Sequence, residues 1–308
     1  MAVQTRGAFS QLTDNVERDI YILLDKELKE RPAIWKTYYN IETSKRKTEI
    51  SLSYVEIDDV PEKPEGEPYA TGLIRPGHQK EVTHIEFGFG FELTKTAKED
   101  DLKGVLKRHA KFLGSSARYV QEKRAALPLN NGFSTETSAD GLSAFNSAHV
   151  LAGTGGTSRN TFAAARDLSW NALSDAMIDA VTQTKTEGNR FVDVIDAWVL
   201  LVPPALEFTA ARIIHEGGLP GSADNDKNVL AERRKFKLVV NPHLSDDDTW
   251  FLLAADKSRH GLMSYTRKGI ELEPMMVDAR TKNELYTIRF RSSWFWREWQ
   301  NSFGVQGA

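Results

Sequence analysis

From residue 97 to residue 127 the sequence carries one helical pattern without a break. Thr96-Ala-Lys-Glu99 opens it as a capping box, in which each side chain accepts the other residue's backbone N–H. Leu102, Val105, Leu106, Phe112, Leu113, Tyr119 and Val120 then recur at helical spacing, and Pro128 closes the run. At ~1.5 Å per residue this is about 45 Å of helix, several times the usual globular length. Such an element predicts a strut to which other parts attach and argues against a compact enzyme core. Gly114-Ser-Ser is a candidate kink, and Lys103, Lys107, Lys111 and Lys123 form a solvated face.

The stretch just before it, Ile85 to Leu93, reads IEFGFGFEL. Gly88 and Gly90 suggest a phosphate-cradling loop, but a dinucleotide fingerprint needs a third glycine at a strand-to-helix turn, and none follows. The alternation of Ile85, Phe87, Phe89, Phe91 and Leu93 predicts a strand instead. Its glycines leave one face bare, so that another backbone can approach closely. Upstream, residues 48–60 also alternate, through Ile50, Leu52 and Tyr54, then shift to Val55 and Ile57 as at a bulge. Between the two runs lies a polar segment with Pro61, Pro64, Pro68 and Pro76. Strand, long loop and returning strand predict a two-stranded excursion from the body, which is marginal unless it lies on something. Before it, Val16, Ile20, Leu23, Leu24 and Leu28 follow Asp14 at helical spacing, up to Pro32. That segment is either an amphipathic surface helix or an arm that docks on another subunit.

Downstream, residues 129–166 are rich in Gly, Ser, Thr and Asn and predict a long irregular connection, of a kind that is functional or interfacial. Residues 168–189 read as a helix with Ser169 as N-cap. A buried strand at 198–202, a Pro203-Pro204 turn and a helix over 205–216 come next, then strands at 237–240 and 249–254 about an Asn241-Pro242 turn. Residues 168–262 therefore predict an α/β unit with a small sheet. The C-terminal part alternates through Tyr286, Ile288 and Phe290 and ends in Trp294, Phe295, Trp296, Trp299 and Phe303. Aromatic density of that kind is core and interface packing rather than a cofactor box.

No catalytic motif is present. The chain of 308 residues has a net charge of −3 and no cysteine, which excludes disulfides, thiolate nucleophiles and Cys-ligated zinc and gives no basic excess for a dedicated nucleic-acid binder. No apolar leader precedes the first helix, and the longest apolar run, Ala197 to Leu206, is half a membrane span with two prolines. A soluble protein of the cytoplasm is expected, with no membrane partner and no cofactor. His78, His84 and Glu86 form no convincing metal set, and Asp246, Asp247 and Asp248 are consecutive acids that do not converge on one ion. Asp140, Ser147 and His149 can be drawn as a triad, but they sit in an irregular stretch, and a triad needs fixed geometry.

The order of elements carries more than any motif: arm, two-stranded loop, very long helix, glycine-rich stretch, α/β unit, strand-rich C-terminus. This order resembles the major capsid proteins of tailed bacteriophages, the α+β fold typified by the Hong Kong phage and shared with encapsulins. Within that family it is similar to major head subunits of the Mu type, through GLSAFNSAHVL (141–151), LSWNALSDAMIDAV (168–181), VLLVPPALEFTAARII (199–214), KLVVNPHLSDDDTWFLLA (237–254) and the C-terminal ELYTIRFRSSWFWREWQNSFG. The phrase departs from the family at Asn146 and Val150.

The resemblance implies an N-terminal arm over 1–47 and an extended hairpin loop over 48–93. A peripheral domain over 94–167 would hold the 97–127 spine helix. Residues 168–262 would be the axial domain, and C-terminal strands over 263–308 would complete the peripheral one. It implies a shell of hexamers and pentamers, served by scaffold, portal and decoration proteins and holding double-stranded DNA contacted without sequence preference. Ile20, Leu24, Tyr54, Ile57, Phe87, Phe89, Phe91, Trp294 and Trp296 are the inter-subunit contact candidates. An encapsulin-like compartment shares the fold and stays open as an alternative. A hydrolase built on residues 140–149 is a third class, against which the proline-rich excursion argues. Some family members join subunits through a Lys–Asn isopeptide bond. Lys63 and Lys80 lie in the matching loop but no partner asparagine motif is recognisable, so a reducing denaturing gel of assembled protein is expected to show one band at 34.6 kDa, and a ladder above it would overturn this.

Overall fold

The computed structural model describes residues 32–55, 61–71, 75–94, 105–151, 156–182, 197–218, 227–233 and 235–308, besides a few isolated positions. The expected arm helix, with Ile20 and Leu24, the start of the long helix, Ile57 and the end of the 168–189 helix lie outside them. Helices and strands are mixed around two sheets that share one long helix.

That helix, α1, runs from Val105 to Asn130 and is unbroken through Gly114-Ser-Ser. It passes the expected stop and carries Pro128 in its last turn. Proline there removes a single N–H; Asn131 N–H still reaches Leu127 O at 2.9 Å, and the Pro128 carbonyl accepts the Trp296 indole N–H at 3.0 Å. The buried stripe is Leu113, Ala117, Gln121, Glu122, Ala125 and Leu129, whereas Phe112 and Tyr119, part of the helical spacing noted above, are exposed. Small residues let the sheets approach the helix axis, and the two large rings are left outside.

The first sheet is built on strand β12 (Glu284–Trp296), which pairs with β10 (Leu262–Leu272), β4 (Ile85–Leu93) and β11 (Met276–Val277). Strand β1 (Asn40–Thr43) adds to β10 in parallel. Tyr286, Ile288 and Phe290 face inward as their alternation predicts, and the last two pack on Leu113 and Ala117 of α1. The second sheet has the order β13-β9-β7-β8, from Ser302–Val305, Trp250–Ala254, Ala197–Val202 and Lys235–Val240. Trp198, Leu200, Trp250 and Leu252 on one face pack against α2 (Trp170–Thr182) and α3 (Glu207–His215). Val199, Leu201, Phe251 and Leu253 on the other face pack against Ala125 and Leu129 of α1, Phe145 and Trp296. Ser169 caps α2, its hydroxyl accepting the Ala172 N–H at 3.2 Å.

Three expectations give way. Residues 85–93 do not return alongside 48–57. The partner of β2 (Thr48–Val55) is β3 (Arg75–Thr83), which begins inside the proline-rich segment, while β4 pairs with β12 from Ser292 to Glu284. A single residue, His84, separates β3 from β4, and there the chain leaves the hairpin for the body. Second, the start of the 33–43 stretch, placed in the arm by the resemblance, packs within its own chain. Trp35, Tyr38 and Tyr39 are buried in the core beside α1, where the Tyr39 hydroxyl donates to Ala125 O and Tyr38 OH accepts from Asn241 Nδ2. The Glu122 carboxylate, pushed up by burial, accepts the backbone N–H groups of Ile34 and Trp35. Third, not all C-terminal strands join the first sheet, since β13 closes the edge of the second, with Ser302 opposite Leu253.

Gly90 meets the expectation of close approach: a Cβ there would lie 2.5 Å from Tyr286 O and 2.6 Å from the Thr287 methyl, whereas one at Gly88 would find only Ile288 O at 3.7 Å. Gly90→Ala is expected to lower the unfolding free energy of the subunit by about 1–3 kcal/mol in a urea titration, with Gly88→Ala near neutral.

Candidate assembly interface

Several exposed apolar side chains sit on well-formed elements. On the β2–β3 hairpin, Ile50 is 64% exposed and Leu52 shares its face, both in alternation with residues turned the other way. Phe89 of β4 is 67% exposed, at the rim of a groove of about 350 Å³ between β4, β12 and α1. On the α/β unit, Ile178 of α2 and Phe208 of α3 project outward, Phe208 at 78% exposure. Sequence reading passed over Ile50, Leu52, Ile178 and Phe208. For the hairpin pair the signal was present in the alternation itself. For the helix pair nothing local separates an outward apolar residue from an inward one.

The nominated contact residues divide. The backbone of Tyr54 lies in β2 opposite Pro76. Phe87 stacks on Phe290 at 4.8 Å and Phe91 on Tyr286 at 5.3 Å, so both serve the first sheet, with Phe87 also lining the groove. Of that alternation Ile85 and Phe89 are the exposed members. Trp294 is half-buried and edge-on to Trp35 at 5.7 Å. Trp296 has no exposed surface and is core within its own chain, held by its bond to Pro128, so it cannot meet a neighbour.

The residues drawn as a triad are partly brought together. Asp140 Oδ2 and His149 Nδ1 are 2.6 Å apart and both side chains are buried, while Ser147 is exposed and outside the pair. Asn160 fixes the other ring nitrogen. Its Nδ2 donates to Ala144 O and Trp299 O, so its Oδ1 accepts both from Asn146 N–H and from His149 Nε2–H at 3.0 Å. The imidazole lies flat on Trp299, with ring centroids 4.5 Å apart. Both ring nitrogens are thus engaged and neither is free to act as a base. Burial pushes the Asp140 carboxyl up, but hydrogen bonds from His149 and Ser138, the His149 charge and the Leu142 N–H outweigh it and hold the group below its ordinary 3.8. The cluster pins the glycine-rich stretch to Trp299 near the C-terminus. No group of three or more metal-ligating side chains occurs among the described residues, and no described helix is long and apolar enough to cross a membrane.

Removing one partner of a buried, hydrogen-bonded pair costs about 3–5 kcal/mol. Urea titration of His149→Ala is expected to show a loss of that order at pH 7. Because the folded carboxyl titrates below 3.8, its contribution is complete above that pH and is lost as pH falls through the lower folded value, so wild type and Asp140→Asn are expected to converge in acid.

A sequence profile of the family described as phage capsid protein matches residues 79–301. No curated protein matches. Among solved structures, the procapsid of bacteriophage JBD30 is similar at 14% identity and a TM-score of 0.56, over 99% of this chain and 77% of that one. The capsid of cyanophage P-SCSP1u gives 10% and 0.57, over 90% and 89%. The virus-like particle from Pyrococcus furiosus gives 10% and 0.55, over 94% and 98%. At such identities the shared property is the fold, the Hong Kong-phage-type arrangement expected from the order of elements. With the profile covering most of its length, the chain belongs to the phage capsid protein family.

Proposed function

We propose that this chain is the major head subunit of a tailed phage or prophage, closing through hexamers and pentamers into an icosahedral shell around double-stranded DNA. The observation that carries the reading is the β2–β3 hairpin, a two-stranded sheet of its own with Ile50 and Leu52 facing outward. A two-stranded ribbon is marginal in water, and an apolar face on it has use only against another surface. In a shell that surface is a neighbouring subunit.

The roles follow with boundaries moved to fit the packing. The arm is the chain before residue 33, the extended loop is 48–83, and α1 is the spine. The first sheet forms the peripheral domain with α1, and the α/β unit together with β13 forms the axial domain. Phe208 and Ile178, outward on that unit, suit contacts around a capsomer centre. Scaffold, portal and decoration proteins are the expected accessory partners, assembly takes place in the host cytoplasm, and the subunit is a structural protein rather than an enzyme. The mild net acidity of −3 suits a container that must not grip its phosphate-rich contents.

Purified protein is expected to give closed shells, rings or tubes in negative-stain electron microscopy and a matching high-mass peak in size-exclusion chromatography. A sharp monomer peak that persists when a cognate scaffold is co-expressed would sink the reading. Ile50→Asp with Leu52→Asp is expected to lower the assembled fraction at least ~10-fold while leaving subunit stability within about 0.5 kcal/mol, since both side chains are on the surface.

A further inference from the structure

A second cavity, of about 290 Å³, lies over the first sheet on the side away from α1. Its lining is almost entirely cationic: Arg267 and Lys268 of β10 and Arg289 and Arg291 of β12, with Glu86 of β4 as the one acid. Two of the four cations have partners in their own chain, Lys268 with Glu271 at 2.7 Å and Arg289 with Glu273 at 2.8 Å. The other two do not: Arg267 Nη1 and Arg291 Nε are buried and lack a hydrogen-bond acceptor among the described residues. Their field reaches the base of the hairpin, where burial and then the charges of Arg291 and Arg267 lower the His84 pKa. A buried guanidinium N–H without an acceptor is costly, and the guanidinium fork matches a carboxylate.

The chain carries matching anions elsewhere. Residues 61–71, at the tip of the hairpin, are exposed throughout and hold Glu62, Glu65 and Glu67. The one nearby cation, Lys63, sits over the Tyr69 ring at 4.9 Å, and the three carboxylates have no partner among the described residues. A tip cannot reach the cavity of its own chain. The cavity adjoins the hairpin base, and β3 alone separates base from tip by nine residues, about 30 Å at ~3.3 Å each.

We propose that the Arg267–Arg291 cavity is a carboxylate-binding socket for the Glu62–Glu67 loop tip of a second copy of this chain. The inference rests on the shell reading above and adds what the hairpin grips with: apolar residues along its length, and carboxylates at its end. Two paired guanidiniums per contact fix the register of one subunit on the next, and the socket stays unsatisfied until the neighbour arrives.

Charge reversal on each side, then on both, tests it in the full-length chain. Arg267→Glu/Arg291→Glu and Glu62→Lys/Glu65→Lys/Glu67→Lys are each expected to reduce the fraction sedimenting as shells about 10-fold or more, and the combined variant to restore it to within about threefold. Thermal melts of the subunits check folding, which the wholly exposed tip substitutions leave intact. A tip variant that assembles like wild type overturns the socket, as does a folded combined variant that stays unassembled. So does a pocket variant whose shells form normally but hold less nucleic acid, which would make the cavity a phosphate site. Because the chain has no cysteine, Glu65→Cys with Arg267→Cys supplies a second measurement. Oxidised shells are expected to run as a ladder on a non-reducing gel, and shells that yield only monomer overturn the contact. Wild type that forms no assembly overturns the shell reading first, and the socket with it.

Discussion

Burial of both faces of the second sheet is the constraint on which the rest of this structure depends. Strand β7 sends Trp198, Leu200 and Val202 to one side and Val199 and Leu201 to the other, and all are buried. Two helices of the α/β unit cover the first side. The second side must be closed from outside the unit, and it is closed by the last turns of α1, by Phe145 and by Trp296 at the end of β12. The same α1 holds the first sheet further along, at Leu113 and Ala117. One helix therefore belongs to two cores. Its length is explained by the need to be present in both.

The α/β unit was legible because its signals are local. Continuous apolar runs, prolines at a strand end and turn chemistry bounded β7, β8 and β9 to within a residue or two, and Ser169 capped the helix it was expected to cap. What the chain leaves unsaid is partnership. IEFGFGFEL alternates identically whether it pairs with residues 48–57 or with a strand two hundred residues away, and the close approach of Gly90 to the Tyr286 carbonyl and the stacking of Phe87 on Phe290 belong to the second pairing. In the helix, apolar spacing alone does not separate Phe112 and Tyr119, which are exposed, from Ala117 and Ala125, which allow two sheets to close on one rod. The aromatic cluster Trp35, Tyr38 and Tyr39 was absorbed into an arm because layout alone was followed there.

The glycine-rich stretch illustrates a second limit. Asp140 and His149 are nine residues apart, and their pairing is visible only once Asn160 and Trp299 are in place. The segment is ordered by a satisfied polar network on either side of the one large apolar anchor, Phe145. Of the candidate interface, Phe89 was readable as an apolar residue. Its exposure was not, because Phe87 and Phe91, in the same alternation, are covered by Phe290 and Tyr286.

The junction at His84 has a mechanical consequence. The hairpin is joined to the body through β4, and β4 lies antiparallel along β12 from Ser292 to Glu284, with its first residue next to the hairpin. When a neighbour pulls on the hairpin, the tension runs along the axis of β4 and perpendicular to the hydrogen bonds that hold it. The ladder is then loaded in shear, so its bonds share the force and must fail together, whereas a strand pulled sideways from its end would unzip one bond at a time. Because the outlying hairpin is connected through a strand of the main sheet rather than through a loop, any such pull is passed into the whole β4–β12 ladder.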